Sequence, residues 1–536
     1  MIDTKALRQK ILDLAIRGKL VPQDPDDEPA SVLLERIRQQ KQQMVKEGKL
    51  KPKDIKNDSV IFVGEDNLHY EKFSNGSVKC IEDEIPFDIP GSWAWVRISS
   101  ICVINPKNDL NDDTEVSFIP MPHICEGYEN RHSFDIRKWS EIKTGYTHFA
   151  ENDIGIAKIT PCFENRKSVV FHNLKNGAGA GTTELFILRP IISVEPDYLL
   201  WIAKTDDFIN GGVETFSAAV GQQRVDRDFL VNYLIPLPPV NEQKSIINKI
   251  NVAFSVINTV DQNKADLANT IFYAKSKILD LAIRGQLVPQ DPDDEPASVL
   301  LERIRAEKEE LIKQGKIKRD KKESVIFRGE DNSYYEKIGT EVYCIDEEIP
   351  FDIPDTWEWM RLESCCIKEI RRGKSPKYID ESGTLVFAQK CNTRYSGIDV
   401  GLALFLDENT LGRYPDDEYM QDGDVVINST GTGTLGRVGI YHATDNYLGL
   451  PIVPDSHVTI IRAARSIQSV YLYGFMKANQ SELEKEGEGS TNQKELKPLT
   501  LKEMLIPIPP YSEQERIVAT ITAAFSTISA IENSLN

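Results

Sequence analysis

Residues 11–38 read ILDLAIRGKLVPQDPDDEPASVLLERIR, and residues 278–305 read ILDLAIRGQLVPQDPDDEPASVLLERIR. The echo continues outward from this pair. SVIF at 59–62 returns at 324–327, and EIPFDIP at 84–90 returns at 348–354. Trp93 and Trp95 match Trp357 and Trp359. LIPLPP at 234–239 is matched by LIPIPP at 505–510, and NEQKSIINKINVAFSVI (241–257) by SEQERIVATITAAFSTI (512–528). A solenoid repeats every ~20–50 residues. Here one large unit is duplicated within 536 residues, which predicts an internal pseudo-two-fold repeat. Two stretches, 93–233 and 357–504, do not match each other well. The layout is constant, variable, constant, variable, constant, with segments 1–92, 93–240, 241–356, 357–511 and 512–536.

The constant segments read as helices. No proline or glycine falls between Asn241 and Arg284, a stretch that spans about 66 Å if unbroken. Steps of four and three from Ile246 pass through Ile250, Ala253, Ile257, Val260, Lys264, Leu267, Ile271, Ala274, Ile278 and Leu281. Only Lys264 interrupts this apolar seam, and a spacing of 3.5 sustained over many turns is that of a coiled coil. The C-terminal helix continues the register through Ile517, Ile521, Ala524, Ile528, Ile531 and Leu535, and the N-terminal helix through Thr4, Leu7, Ile11 and Leu14. The simplest arrangement lays both chain ends antiparallel to the central helix. Asn241 is a cap candidate, and Ser512 with Glu515 forms a capping box. A further helix after Pro29 carries Val32, Leu33, Ile37 and Met44 as its stripe. Its basic, polar tail reads as a solvated face or a protruding arm.

Each variable segment opens on a W-x-W strand, continues in short β-rich runs such as DIGIAKI, GDVVINS and HVTIIRA, and turns helical late. The fold class is α+β: two mixed α/β domains separated by long antiparallel coiled-coil helices.

Composition excludes several functions. No run approaches 18 apolar residues, so no transmembrane helix is expected, and the N-terminus lacks a signal-peptide layout. Eight cysteines form no C-x-x-C pair, which argues against a zinc ribbon or disulfide framework. Cys80 and Cys344 occupy matching places and suggest packing; Cys365 and Cys366 read as reduced thiols in or near a strand. A cytoplasmic location follows. Gly431–Gly436 spells GxGxxG, but a strand-like run follows it where a dinucleotide site needs a helix. Gly373-Lys374-Ser375 lacks the first glycine of a Walker loop, since position 368 is Lys368. GAGAG at 177–181 reads as a flexible turn or backbone-approach loop. Histidine spacing matches no metal motif, and no base-methylating tetrapeptide is present, so neither a catalytic nor a metal site is expected.

The whole chain resembles the specificity (S) subunit of type I restriction-modification systems. The residues that carry the resemblance are the two LDLAIRG-x-LVPQDPDDEPASVLLERIR blocks, the two IP-x-x-W-x-W openings and the two IP-[LI]-PP-x-x-EQ exits into long helices. RRGKSPKY (371–378) and GDVVINSTGTGTLGRVG (423–439) also look like target-recognition-domain sequence. The resemblance implies a non-catalytic chain whose two target recognition domains each read one half of an asymmetric split site in double-stranded DNA. Its helices would act as a ruler and dock two methyltransferase (M) subunits. It implies S-adenosylmethionine in those subunits, and ATP and magnesium in any restriction (R) subunit, with no cofactor in this chain. Two readers on one spacer suit half-sites about one helical turn, roughly 34 Å, apart. The alternative is a coiled-coil scaffold that pairs two proteins without reading DNA.

The net charge of −19 is a tension, because phosphate binding is driven by Lys and Arg. In 357–504, Asp and Glu outnumber Lys and Arg. Much of the phosphate neutralisation is therefore expected from the M subunits. In the second domain Arg371, Arg372 and Lys374 are candidates for phosphates or guanine edges. Lys390, Asn392 and Arg394 follow a strand; Asn428, Ser429, Thr430, Thr432 and Arg437 line the glycine-rich loop; Asn492, Gln493 and Lys494 form another polar loop. In the first domain the candidates are Lys158, Thr160, Arg166, Lys167, Thr182, Gln222, Gln223 and Arg224. Amide side chains suit adenine and arginine suits guanine.

Overall fold

The computed structural model describes residues 3–56, 58–217, 223–319, 323–394, 397–431, 433–487 and 494–535. The chain divides into two compact units, Met1–Asn263 and Lys264–Asn536. Helices and short strands mix within each, so the chain is α+β.

In the first unit the helix Thr4–Ile16 ends on Gly18 (φ 64°), which adopts the left-handed conformation. Gly18 N donates to Ala15 O and Lys19 N to Leu14 O, the paired bonds of a Schellman motif. A Cβ at Gly18 would collide with the Pro90 ring, so the turn needs glycine twice over. The helix runs antiparallel to the start of the long helix Val240–Ile283. Arg8 reaches Asn258 (2.6 Å) and Asp261 (2.9 Å), and further along the chain Gln23 reaches Glu242 (2.6 Å). Ile246, Ile250 and Ile257 of the expected seam are buried, and Phe254 joins them off-step.

The N-terminal seam differs from expectation. The buried residues are Arg8, Leu12, Ala15 and Ile16, while Leu7 is 42% exposed. This helix packs on a variable domain as well as on the long helix: Gln9 donates to Tyr128 Oη (2.7 Å) and Lys204 O (3.0 Å). A helix held from two sides buries a stripe rotated away from the one a two-helix seam would bury. In the second unit Ile517 and Ile521 of the helix Tyr511–Leu535 pack with Leu279, Ala282 and Trp357. Lys275 pairs with Glu532 (2.8 Å) and Gln290 with Glu513 (2.6 Å), again antiparallel. Burial fades toward Ile531, which is exposed.

The expected caps are displaced. The helices begin at Val240 and Tyr511, one residue early, so Asn241 and Ser512 lie inside the first turn. Asn241 Nδ2 donates instead to Asp27 (2.8 Å). The glutamines of the two EQ pairs do the bracing: Gln243 Nε2 donates to Pro238 O and Gln514 Nε2 to Pro509 O. Their Oε1 atoms accept from Glu195 N and Gln468 N.

The chain enters and leaves each variable domain through a neck of two paired strands. Ala94–Arg97 pairs antiparallel with Leu234–Leu237, and Glu358–Arg361 with Leu505–Ile508. Trp93 Nε1 donates to Glu242 (2.9 Å) and Trp357 Nε1 to Glu513 (2.9 Å), which fastens each neck to the helix that follows it. Tyr198 and Tyr471 donate to the carbonyls of Pro236 and Pro507.

Beyond the neck, each domain is built from two small sheets. In the first, Ser168–Val170, Ile154–Ala157, Leu185–Pro190 and Cys102–Ile104 form an antiparallel sheet. Asp135–Lys138, Glu115–Ile119, Ala178–Gly181 and Thr147–Ala150 form the other, with its central pair parallel. In the second, Val438–Tyr441, Asp424–Asn428 and Val458–Ile461 form one sheet. Tyr378–Ile379, Leu404–Leu406, Leu385–Phe387 and Ile452–Pro454 form the other, again with one parallel pair.

GAGAG is no flexible turn: Ala178–Gly181 is a buried strand. Built Cβ atoms at Gly179 and Gly181 would fall 2.4 Å from Ser117 O and 2.1 Å from Ile119 O, so the neighbouring strand leaves no room for side chains. Cys80 and Cys344 do not pack but are exposed on edge strands, whereas Cys365 and Cys366 are buried thiols.

Candidate nucleic-acid interface

In the second domain the strand Asp424–Asn428 leads into the loop 429–437, where Gly431, Gly433 and Gly436 all have positive φ. The strand Val438–Tyr441 follows, so this GxGxxG opens no helix. Gln389–Arg394, Arg371–Lys374, His457 and Lys494–Glu495 gather around the loop. Thr430 bridges to Glu495, Leu496 N donates to Ser429 O, and Ser429 N donates to His457 O. Thr430 Oγ1 lies 2.7 Å from His457 Nδ1.

Three candidates here serve the loop's interior. Asn392, Asn428 and Ser429 are buried. Asn392 Nδ2 donates to Arg437 O (3.0 Å), Asn428 Nδ2 to Gln389 O (3.1 Å), and Ser429 Oγ pairs with Thr459 Oγ1 (2.7 Å). Their polar atoms replace the hydrogen bonds that the irregular backbone cannot make for itself, and they face away from solvent. Arg437 is half-buried and donates to Asn392 O and Gly433 O. Lys390, Arg394 and Lys494 are exposed at the rim. Thr432, Asn492 and Gln493 lie outside the described residues.

The run RRGKSPK is not a bare basic patch. Glu418, a buried carboxylate, draws in Arg371 (2.5 Å), Lys374 (3.3 Å) and Lys368 (3.5 Å). Burial opposes ionisation of Glu418, but Lys368, Arg371 and Lys374 outweigh it and hold the carboxyl below the usual carboxylate range. Arg372 pairs with Glu495 at 3.0 Å. A phosphate at this spot has to compete with carboxylates already in place.

In the first domain Lys158–Thr160, Thr182–Glu184 and Gln223–Val225 converge. Lys158 N donates to Glu184 O, Val225 N to Lys158 O, and Thr160 N to Gln223 O. Arg224 forms a two-pronged bond to Glu184 (2.9 and 2.8 Å). Thr160 Oγ1 bonds Glu164, and Thr182 Oγ1 accepts from Glu184 N. Lys167 is half-buried, and Gln222 lies outside the described residues. Beside this junction opens a cleft of about 370 Å³, lined by Asn105, Lys107, Tyr146, His148, Lys158 and Thr183 among others. Lys158 Nζ sits 5.4 Å from the Phe186 ring centre. Burial pushes the His148 imidazolium's pKa below its usual value; its Nδ1 accepts from Asn108 N (3.2 Å), and its Nε2 donates to Lys143 O (2.9 Å). All of the cleft's lining except Lys158 escaped the sequence reading. Its residues come from separate segments and share no motif.

Arg166 is committed elsewhere. It pairs with Asp206, donates to Lys204 O and lies over Tyr128. Lys204 beneath it is fully buried, with Nζ donating to Gly127 O (2.7 Å) and Arg166 O (3.0 Å). Burial first, then the Arg166 charge, push its ammonium down to about 7. Above that pH the folded chain has released a proton that the unfolded chain keeps to about 10.4. The unfolded state then binds more protons, so stability rises with pH across the interval. Denaturant unfolding from pH 7 to 10 should show wild type gaining up to about 1.4 kcal/mol per pH unit over Lys204→Met. Parallel profiles would refute the assignment.

Among the described residues, no group of three His, Cys, Asp or Glu is placed to hold a metal, and no helix is long and apolar enough to cross a membrane.

The sequence pattern of the family described as "Type I restriction modification DNA specificity domain" matches residues 354–536. The chain is similar to the Type I restriction enzyme EcoEI specificity subunit of Escherichia coli, with 33% identity over 583 residues, covering 99% of this chain and 90% of that one. It is also similar to the Type I restriction enzyme EcoAI specificity subunit of Escherichia coli, with 40% identity over 403 residues. That alignment covers 67% of this chain and 62%, under two thirds, of the relative. A solved chain, from work on complex assembly and conformational transition of the type I R-M system, superposes with a TM-score of 0.56 at 19% identity. It covers 84% of this chain and 94% of its own, a likeness of fold.

Proposed function

The chain belongs to the specificity subunits of type I restriction-modification systems, and on that premise we propose that its two variable domains each read one half of an asymmetric, bipartite site in double-stranded DNA. The long helices form an antiparallel coiled-coil spacer with pseudo-two-fold repetition, and two methyltransferase subunits dock on the constant segments. The chain itself catalyses nothing. S-adenosylmethionine belongs to the methyltransferase subunits, and ATP with magnesium to restriction subunits where the system has them. The complex works in the cytoplasm.

The observation that carries this reading is a shared frame with unlike surfaces. Both domains hang from the same Trp–Glu neck and are built from the same kind of paired sheets. One presents a cleft with Lys107, Lys158 and His148; the other presents a glycine-rich loop with Lys390, Arg394 and Lys494 at its rim. Unlike surfaces on a common frame give unlike half-sites. Because Glu418, Glu495 and Glu184 already neutralise nearby cations, the isolated chain binds DNA weakly and gains affinity within the complex.

The test is a genome-wide map of adenine methylation with the chain, without it, and with residues 357–511 replaced by the corresponding domain of a relative. Methylation should vanish without the chain, and the replacement should change one half-site and leave the other. A map indifferent to the chain would instead favour the scaffold reading.

A further inference from the structure

Each unit carries a three-stranded antiparallel sheet outside its variable domain. The strands are Ser59–Val63, His69–Phe73 and Val78–Cys80 in the first unit, and Ser324–Arg328, Tyr334–Ile338 and Glu341–Cys344 in the second. One face is turned inward. Glu71 there binds Arg97 and Ser59, and Glu336 binds Arg361 and Ser324. Register and alternation define the other face. Phe62 lies opposite Tyr70 and Tyr70 opposite Cys80; Val60 lies opposite Lys72 and Lys72 opposite Val78. The same register in the second sheet aligns residues 325, 327, 335, 337, 342 and 344.

Those six positions hold Val, Phe, Tyr, Lys, Val and Cys in both copies. The strand positions that differ between copies are Val63 and Arg328, His69 and Tyr334, Phe73 and Ile338, Lys79 and Tyr343, and Glu341 against Ser77. All of these belong to the opposite face. Burial accounts for the identity of Ile61 with Ile326 and of Glu71 with Glu336 on the inner face, but not for that of the outer positions. The invariant face is exposed: Phe62 and Phe327 at 41% and 39%, Val78 and Val342 at 52% and 51%. The Phe62–Tyr70 and Phe327–Tyr335 stacks account for one pair in each sheet. Nothing within the described chain accounts for the lysine, the second valine and the cysteine.

We propose that this outer face is the docking surface for one protein taken up twice, the methyltransferase subunit, which sets an apolar patch against the Phe–Val row and a carboxylate against Lys72 or Lys337. The assignment rests on the specificity-subunit reading above. Two identical faces on one chain fit a partner held in two copies. A second copy of this chain fits poorly, because a bivalent self-binding chain grows into open-ended polymers and a net charge of −19 opposes it. An aromatic–aliphatic patch of this kind is a compact anchor within a wider interface.

Native mass spectrometry of the full chain co-expressed with its methyltransferase subunit reads the stoichiometry directly. Wild type should carry two copies. Phe62→Ser with Val78→Ser should carry one, as should Phe327→Ser with Val342→Ser, and the fourfold variant none. Thermal unfolding of each variant monitors the fold. Should the serine variants misfold, Lys72→Glu with Lys337→Glu changes only exposed cations and should weaken uptake at least tenfold. Two copies on a well-folded fourfold variant, or full uptake by the lysine pair, would overturn the docking surface and leave the specificity reading standing. A wild-type chain that takes up none overturns both. Self-association abolished by these substitutions overturns the choice of partner.

Discussion

Asp424→Ala lowers the stability of the second unit by about 3–5 kcal/mol and leaves the first unit's transition in place. Asp424 is buried, and its two oxygens accept from Arg462 Nε and Nη2 at 2.7 Å each. The same carboxylate accepts from Gln421 N, and Arg462 also donates to Tyr419 O. Removing the carboxylate strands a guanidinium only 11% exposed. An unpaired buried charge is far costlier than a missing surface pair. The first domain contains a matching pair, Asp153 and Arg189, but that arginine is 31% exposed and water can take over its donors. Asp153→Ala therefore costs less. Urea unfolding resolved by unit measures both, and an Asp424→Ala loss below about 1 kcal/mol would falsify the argument. The strand that holds Asp424 runs into the loop 429–437, so this variant should also blur one half of the methylation site.

Lys107→Glu combined with Lys158→Glu reduces the affinity of the assembled complex for its DNA site by at least about tenfold near 0.1 M salt. The two ammonium groups line the first domain's cleft, and among the described residues neither is paired with a carboxylate. Each phosphate contact contributes roughly 0.9 to the slope of log affinity against log salt, so the double variant should lower that slope by about 2. Anisotropy titrations across a salt series measure both quantities. An unchanged slope would place the DNA elsewhere on the domain. Arg166→Ala makes the contrast: it disturbs the Lys204 knot and reads out as stability rather than as salt dependence.

The repeat and the long helices were legible in the sequence because spacing alone carries them. Along the long helices the 3.5-residue register named buried residues correctly at Ile246, Ile250, Ile517 and Ile521. In the N-terminal helix, which Gln9 ties to Lys204, the buried stripe is rotated and periodicity misassigned it. GAGAG was misread because its glycines answer to carbonyls on a strand distant in sequence. The candidate interface was half legible. Asn392, Asn428 and Ser429 have the chemistry of base readers, yet polarity in a loop is equally what a buried loop needs to satisfy its own backbone. The cleft residues gave no signal, since separated segments meet there only after folding.

The neck has an evolutionary corollary. Polypeptide arrives at and departs from each variable domain on adjacent strands, so foreign sequence spliced between Arg97 and Leu234 keeps the strand pairing and the tryptophan lock, provided it restores the contacts that Glu195 and Trp201 make with Gln243 and Phe254 of the downstream helix. Both slots are preceded by the same tract, altered only at Lys19 against Gln286. Homologous recombination across such tracts can shuffle readers between slots or between related genes, and each crossover yields a new pairing of halves without a single substitution in the scaffold.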